Sequence, residues 1–152
     1  YYGNAEMDAV APEPAAARAE IGKYRQVRGI PRSPMEFIEN SYLKNLDKFL
    51  ATGRTPMPCH ALRASCFIDP WGVVYPCITY SRPIGRLRDT GMKLEPIWHA
   101  AETTGLQGEI WKGECPQCWT ACEAHQSILG NALALRRRAG ASPVAAQEQP
   151  AR

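Results

Sequence analysis

The sequence predicts a small α+β fold, and three features point to it. Two short segments rich in β-branched and aromatic residues, 65–68 and 73–75, flank a turn sequence at 69–72 that contains Pro and Gly. This arrangement is typical of a β-hairpin. Apolar residues recur at helical spacing between Ser33 and Gly53, which predicts an amphipathic helix. All six cysteines fall in two groups, one around the hairpin and one after it, so we expect loops held together at these places.

The helix after Ser33 has clear boundary signals. Ser33 can cap the helix, Pro34 suits the first helical position, and Glu36 completes a capping box. Gly53 is a suitable C-terminal cap. Further helices are predicted at 15–27, 93–101, 106–111 and 119–138, and 84–87 is predicted to be a short strand or turn.

Composition limits the function classes. A chain of 152 residues with 13 Pro and 12 Gly has room for one small domain with appendages. The net charge of +3 is too small to indicate nucleic-acid binding. The chain has no apolar run of about 20 residues, so no membrane association is expected, and without a signal peptide we predict a cytoplasmic protein.

We divide the chain into three parts. Residues 1–53 are predicted to be an N-terminal helical segment, 54–138 the cysteine-bearing domain, and 139–152 a disordered tail rich in Ala, Pro and Gln. The first residue is Tyr1 rather than Met, so we expect a longer parent protein.

The cysteines have the spacing of a four-thiolate metal site. Cys59 and Cys77 bracket the hairpin, and Cys115 and Cys118 form a CxxC knuckle. Two locally constrained pairs are what such a site requires. Cys122 is a fifth candidate ligand, because it can replace Cys115 in a CX3C pairing with Cys118. Trp71, Tyr75 and Trp119 are candidates for shielding the site from water, although core packing is the commoner role for each of them.

Other readings of the cysteines remain open. Cys66 lies inside a predicted strand and is expected to be a small buried hydrophobic residue. A zinc site is one alternative, with His60 and His125 as substitute ligands. Six cysteines also allow three disulfides, although small disulfide-rich domains are usually secreted.

The pattern resembles a known family. Cys59-x12-Gly72-x4-Cys77, followed by Cys115-x2-Cys118-x3-Cys122, is similar to the SPASM and twitch domains, the C-terminal auxiliary iron–sulfur domains of radical SAM enzymes. The flanking segments 67–70, 74–77, 84–87 and 97–98 resemble the family as well. A full SPASM domain has seven cysteines and two clusters. This chain lacks the CX5C step and any cysteine after Cys122, which indicates the shorter, twitch-like form.

The resemblance implies one auxiliary [4Fe–4S] cluster, used for electron transfer or for positioning a peptide or protein substrate. It also implies a parent chain in which a radical SAM barrel carries the CX3CX2C motif and binds S-adenosylmethionine. That motif is absent from this sequence, so no catalytic residue is assigned and the chain is expected to be a fragment of an enzyme. The alternative is a zinc-stabilised module without redox activity, whose 33–50 helix binds a partner protein.

Overall fold

The computed structural model describes residues 13–140, with side chains described as far as residue 134. The first twelve residues of the predicted N-terminal segment lie outside this range. The predicted tail at 139–152 also lies outside it, apart from residues 139 and 140, which belong to the last helix. The predicted boundary between residues 53 and 54 stays a prediction.

The described residues form five α-helices and one three-stranded antiparallel sheet, which confirms the α+β class. In chain order the elements are α1 (Pro14–Arg28), α2 (Pro34–Thr52), β1 (Phe67–Ile68), β2 (Val73–Tyr75), β3 (Gly85–Arg86), a 3-10 helix (Leu87–Thr90), α3 (Glu95–Trp98), α4 (Ala101–Lys112) and α5 (Ala121–Gly140). None of the helices in this described part combines the length and hydrophobicity needed to cross a membrane.

Helix α2 begins and ends at the predicted residues. The Ser33 hydroxyl accepts a hydrogen bond from the Glu36 amide at 3.2 Å, as an N-cap should. The Glu36 carboxylate accepts from the amide of Arg32 rather than from that of Ser33, so the capping box is shifted by one residue. At the other end, Gly53 takes the left-handed conformation and donates its amide to the Phe49 carbonyl at 2.7 Å.

Helix α4 begins five residues earlier than the sequence predicts. Gly105 and Gly108 weaken the helical signal there, because glycine is a poor helix former. Tertiary packing decides the start instead: Thr103 is fully buried and its hydroxyl donates to the Ile97 carbonyl at 2.7 Å. Leu106 and Ile110 then continue the buried face at helical spacing.

The sheet is the predicted hairpin with a third strand added, in the order β1-β2-β3. Phe67 lies opposite Tyr75 in the first pair of strands, and Val73 lies opposite Arg86 in the second. The carboxylate of Asp69 accepts hydrogen bonds from the amides of Trp71 and Val73, both at 2.9 Å, and so fixes the turn. Gly72 has φ of 79°, a conformation that favours glycine and that allows the chain to reverse here.

Two buried clusters hold these elements together. One lies beneath the hairpin and consists of Ala61, Leu62, Cys77, Leu106 and Ile110. The other joins α2 to α5 through a buried indole: Trp119 packs with Ala124 and Ile128 against Tyr42 and Phe49. The Trp119 indole N–H donates to the Tyr42 carbonyl at 3.0 Å, which satisfies its polar atom within the core.

Candidate metal centre

Four of the five candidate ligands line one pocket. Cys59, Cys77, Cys115 and Cys118 surround it, and Ala61, Ile110 and Pro116 add apolar walls. Cys77 is buried, and the other three are half-buried. The four thiols come from three segments that are far apart in the sequence, so the fold has brought together a set of sulfur donors.

Cys122 is placed elsewhere. It is exposed, at the start of α5, and lines a separate surface cavity together with Cys66, Glu123 and His125. The structure thus brings together the four primary candidates and leaves Cys122 outside their pocket. Cys66 packs against the cluster beneath the hairpin and is half-buried rather than buried as the sequence predicts.

The loop that carries Cys59 is held by helix α5. The amide of His60 donates to the buried hydroxyl of Ser127 at 3.0 Å, and the Asn131 side-chain amide donates to the Pro58 carbonyl at 2.9 Å. The amide of Ala61 lies 3.5 Å from Cys59 Sγ and donates to it. These contacts fix the backbone on both sides of the sulfur.

A threonine links two of the sulfur atoms. The hydroxyl of Thr79 lies 3.2 Å from Cys77 Sγ and 3.5 Å from Cys118 Sγ. Thr79 follows the buried Pro76, which ends strand β2 because proline has no amide hydrogen to donate. One side chain therefore bridges the hairpin pair and the knuckle pair.

The CxxC knuckle is positioned by the end of α4 and by Thr55. Gly113, with φ of 80°, ends α4 in the left-handed conformation and turns the chain toward Cys115. The Thr55 amide donates to the Gln117 side chain at 2.8 Å, and the Thr55 hydroxyl donates to the Cys118 carbonyl at 3.0 Å. These bonds tie the knuckle to the loop that precedes Cys59.

The pocket disfavours free thiolates. Burial raises the pKa of Cys59 and of Cys77. Burial also raises the pKa of Cys115 to about 11, and the nearby Cys59, Cys118 and Cys77 add to this effect by charge repulsion. Four thiolates can share this space only when a cationic group offsets their charge, which is the role of iron or zinc in such sites.

The three aromatic candidates for shielding the site do not line the pocket. Trp71 is 73% exposed at the tip of the hairpin, so this expectation is wrong for Trp71. Trp119 is buried in the α2–α5 core, and Tyr75 is half-buried in the sheet. Tyr80 is an aromatic residue that does line the pocket.

The histidines also have other surroundings. The His60 ring packs edge-on against Trp111, with ring centroids 5.2 Å apart, and burial lowers the pKa of His60. His125 packs edge-on against Tyr42. In the described part of the chain, no three His, Cys, Asp or Glu side chains are arranged to hold a single metal ion.

Sequence reasoning missed the residues that support the cysteines. Thr79 had a weak signal, a hydroxyl two positions after Cys77, which is too common to indicate a role. Thr55 and Ser127 had none, because each contacts its partner across more than 60 residues of chain. Only the tertiary structure places them at the site.

The fold brings four cysteines to the lining of one pocket, and comparison with known families gives a match for this part of the chain. Residues 59–123, which include all six cysteines, match the family model of SPASM, an iron–sulfur cluster-binding domain. This part of the chain is therefore similar to a SPASM-type domain, and iron–sulfur cluster binding is the property that the match implies. Neither a curated protein nor a solved structure matches the chain.

The residues present fit such a cluster. Iron–sulfur clusters are held by cysteine thiolates, commonly four, and their sulfur atoms are stabilised by nearby N–H and O–H donors. The pocket offers four thiols, the Ala61 amide and the Thr79 hydroxyl. The apolar walls of the pocket restrict the access of water to the sulfur atoms.

Proposed function

We propose that this chain is the auxiliary-cluster domain of a radical SAM enzyme and holds one [4Fe–4S] cluster through Cys59, Cys77, Cys115 and Cys118. The observation that carries this proposal is the convergence of these four thiols in one pocket within the SPASM-type region. Cys122, exposed at the start of α5, is left as a non-ligand.

Each part of the site has a distinct task. The segments before and after the hairpin supply one sulfur atom each and the knuckle supplies two, and α5 and Thr55 hold the loops that carry Cys59 and Cys118. Ile110 and Pro116 exclude water from the sulfur atoms, and the Thr79 hydroxyl donates a hydrogen bond to Cys118 Sγ. When bound, the cluster supplies one-electron transfer, or a charged surface against which a substrate is positioned.

The parent protein in this proposal carries a radical SAM barrel, and its substrate is a peptide or a protein. The support is the resemblance of the cysteine pattern to the SPASM and twitch domains. The six free cysteines, all within the described residues, support a reducing compartment such as the cytoplasm. An in-frame CX3CX2C motif in the coding sequence before Tyr1 would support the barrel, and an initiation codon at that border would contradict it.

Metal content tests the cluster assignment. Protein purified without oxygen is expected to be brown, to contain about four iron and four sulfide per chain, and to bleach on reduction with dithionite. Iron, sulfide and zinc assays together with a visible spectrum measure this. A colourless protein with one tightly bound zinc would contradict the proposal and would support the zinc-stabilised module instead.

Thr79 is expected to raise the reduction potential of the bound cluster. A hydroxyl that donates to thiolate sulfur stabilises the more negative, reduced state, so Thr79→Val should lower the potential. A hydrogen bond worth about 1 kcal/mol more in the reduced state corresponds to roughly 40 mV for a one-electron couple. An anaerobic redox titration measures the shift.

Two matched variants make this test specific. Thr79→Ser keeps the hydroxyl and should retain a potential close to that of the unmodified protein. Thr104→Val makes the same change at an exposed position on α4, where the hydroxyl contacts only the Ala100 carbonyl. Equal potentials in Thr79→Val and Thr104→Val would refute the role of Thr79.

A further inference from the structure

A second cavity lies at the turn end of the sheet, away from the cysteines. It has a volume of about 380 Å³ and is lined by Asp69, Trp71, Val73, Arg86 and Arg88. None of these residues lines the four-cysteine pocket. We propose that this cavity binds an acidic peptide segment, with Trp71 as the apolar contact and the two arginines as the carboxylate contacts.

The indole of Trp71 is presented to solvent by a rigid turn. Its side chain is 73% exposed, although Trp is among the most hydrophobic of residues. The turn is held by Asp69, whose carboxylate accepts the Trp71 amide and whose carbonyl accepts the Gly72 amide at 3.0 Å. An exposed aromatic side chain on a fixed backbone loses little conformational entropy on binding, which suits a recognition site.

The arginines lie on the same side of the sheet as the cavity. Arg86 is directly opposite Val73 in the β2–β3 pair, so their side chains share a face, while the neighbouring Val74 is fully buried on the opposite face. Arg88 follows in the 3-10 helix. Both arginines are exposed, and neither forms an ion pair with any of the side chains that the structure describes, at 13–134.

The one acidic side chain in the cavity is already engaged. Asp69 accepts hydrogen bonds from the amides of Trp71 and Val73 at 2.9 Å, and its second oxygen lies 3.4 Å from the Tyr75 hydroxyl. These donors partly offset its negative charge. By contrast, Arg18 and Arg82 elsewhere in the structure have carboxylate partners, Asp47 in one case and Glu102 with Glu109 in the other.

This combination selects the class of ligand. Guanidinium groups bind carboxylates in a planar, two-point geometry, and an indole packs against an apolar side chain or a peptide plane. Trp and Arg are also enriched among the residues that dominate protein–protein binding energy. A peptide segment that places carboxylates beside an apolar residue satisfies all of these contacts together. The inference does not depend on the metal assignment.

Fluorescence anisotropy with a labelled peptide tests the site. The probe is a fluorescein-labelled octapeptide with four Glu, one Phe and small residues, and the comparison probe carries Gln in place of each Glu. We expect the acidic probe to bind at least about tenfold more tightly than the Gln probe, and its affinity to fall as salt is raised. No binding of the acidic probe, or equal binding of the two probes, would overturn the proposal.

Variants locate the binding. Trp71→Ala and the double change Arg86→Gln with Arg88→Gln should each weaken binding of the acidic probe at least about fivefold. Arg25→Gln removes an exposed charge on α1 and should leave the affinity for the acidic probe unchanged. Circular dichroism and the melting temperature check that each variant is folded.

Two results would overturn the assignment. Unchanged affinity in the folded cavity variants would place the binding elsewhere. Equal competition by a single-stranded oligonucleotide of the same charge would show a general polyanion surface rather than a peptide site.

Discussion

Replacing Cys118 with alanine is expected to remove most of the iron from the protein purified without oxygen. Cys118 lies in the pocket with Cys59, Cys77 and Cys115, and its sulfur shares the hydroxyl of Thr79 with Cys77. Loss of one of four thiolates leaves an iron without its protein ligand and exposes the cluster to solvent. Alanine at Cys59, Cys77 or Cys115 should have the same effect.

The other two cysteines provide the matched controls. Cys122→Ala changes an exposed residue outside the pocket, so iron and sulfide should stay within about a tenth of the content of the unmodified protein. Cys66→Ala should also retain the cluster, at some cost in stability because Cys66 packs against the core beneath the hairpin. Iron and sulfide assays and the visible spectrum measure all six variants.

One outcome would replace our ligand set with a defined alternative. If Cys122→Ala loses the cluster while Cys115→Ala retains it, the ligands are Cys118 and Cys122 in the CX3C pairing. The start of α5 would then have to move toward the pocket when the cluster binds. Loss of iron in Cys66→Ala but not in Cys115→Ala would likewise contradict the set proposed here.

Gly130→Ala is expected to destabilise the protein by about 2 kcal/mol, although alanine is the better helix former. Gly130 lies in α5, and a Cβ added there would lie 2.5 Å from His60 Nδ1, with Cε1 and Nε2 of the same ring similarly close. The ring has little room to retreat, because it packs against Trp111 and its Nε2 is buried without a hydrogen-bond partner among the described residues. Overpacking costs about 1–3 kcal/mol, and contacts this close place Gly130→Ala near the top of that range. About 2 kcal/mol of destabilisation remains after the gain of about 1 kcal/mol in helix propensity.

The melting temperature measures this effect. A loss of about 2 kcal/mol corresponds to roughly 8 °C for a domain of this size. Gly105→Ala is the control, since it makes the same change in α4 at a position where a Cβ meets nothing within 4 Å. Gly105→Ala should raise the free energy of unfolding by about 0.5–1 kcal/mol, so the two substitutions should change stability in opposite directions.

A double-mutant cycle tests the cause. His60→Ala added to Gly130→Ala removes the ring that the new methyl group meets, so the two changes together should cost less than the sum of the single changes. Additive effects would show that the overlap with His60 is not responsible. Because His60 follows Cys59 and its amide is held by Ser127 in the same helix, Gly130→Ala should also lower cluster occupancy.

Local structure could be read from the sequence because its causes are local. The start of α2 depends on Ser33 and Pro34, and the hairpin turn depends on the carboxylate of Asp69 and the positive φ of Gly72. Each of these acts on residues within about four positions of itself. The pairing of Cys115 with Cys118 was readable for the same reason, since only two residues separate them.

What surrounds the cysteines could not be read in this way. The early start of α4 depends on the burial of Thr103, and the orientation of the Cys59 loop depends on Ser127 in a helix more than 60 residues later. The sequence also suggested that Trp71 shields the site, because it lies between Cys59 and Cys77. The hairpin instead carries Trp71 to its exposed tip, away from the sulfur atoms.

The sequence alone therefore determined the α+β class, the helix caps, the hairpin and the two cysteine groups. Only the tertiary structure decided which four thiols share a pocket, that Thr79 bridges two of them, and that Cys122 lies outside. The physical reason is the range of the interactions. Caps and turns depend on backbone geometry within a few residues, whereas a shared pocket depends on how distant segments pack around a common core.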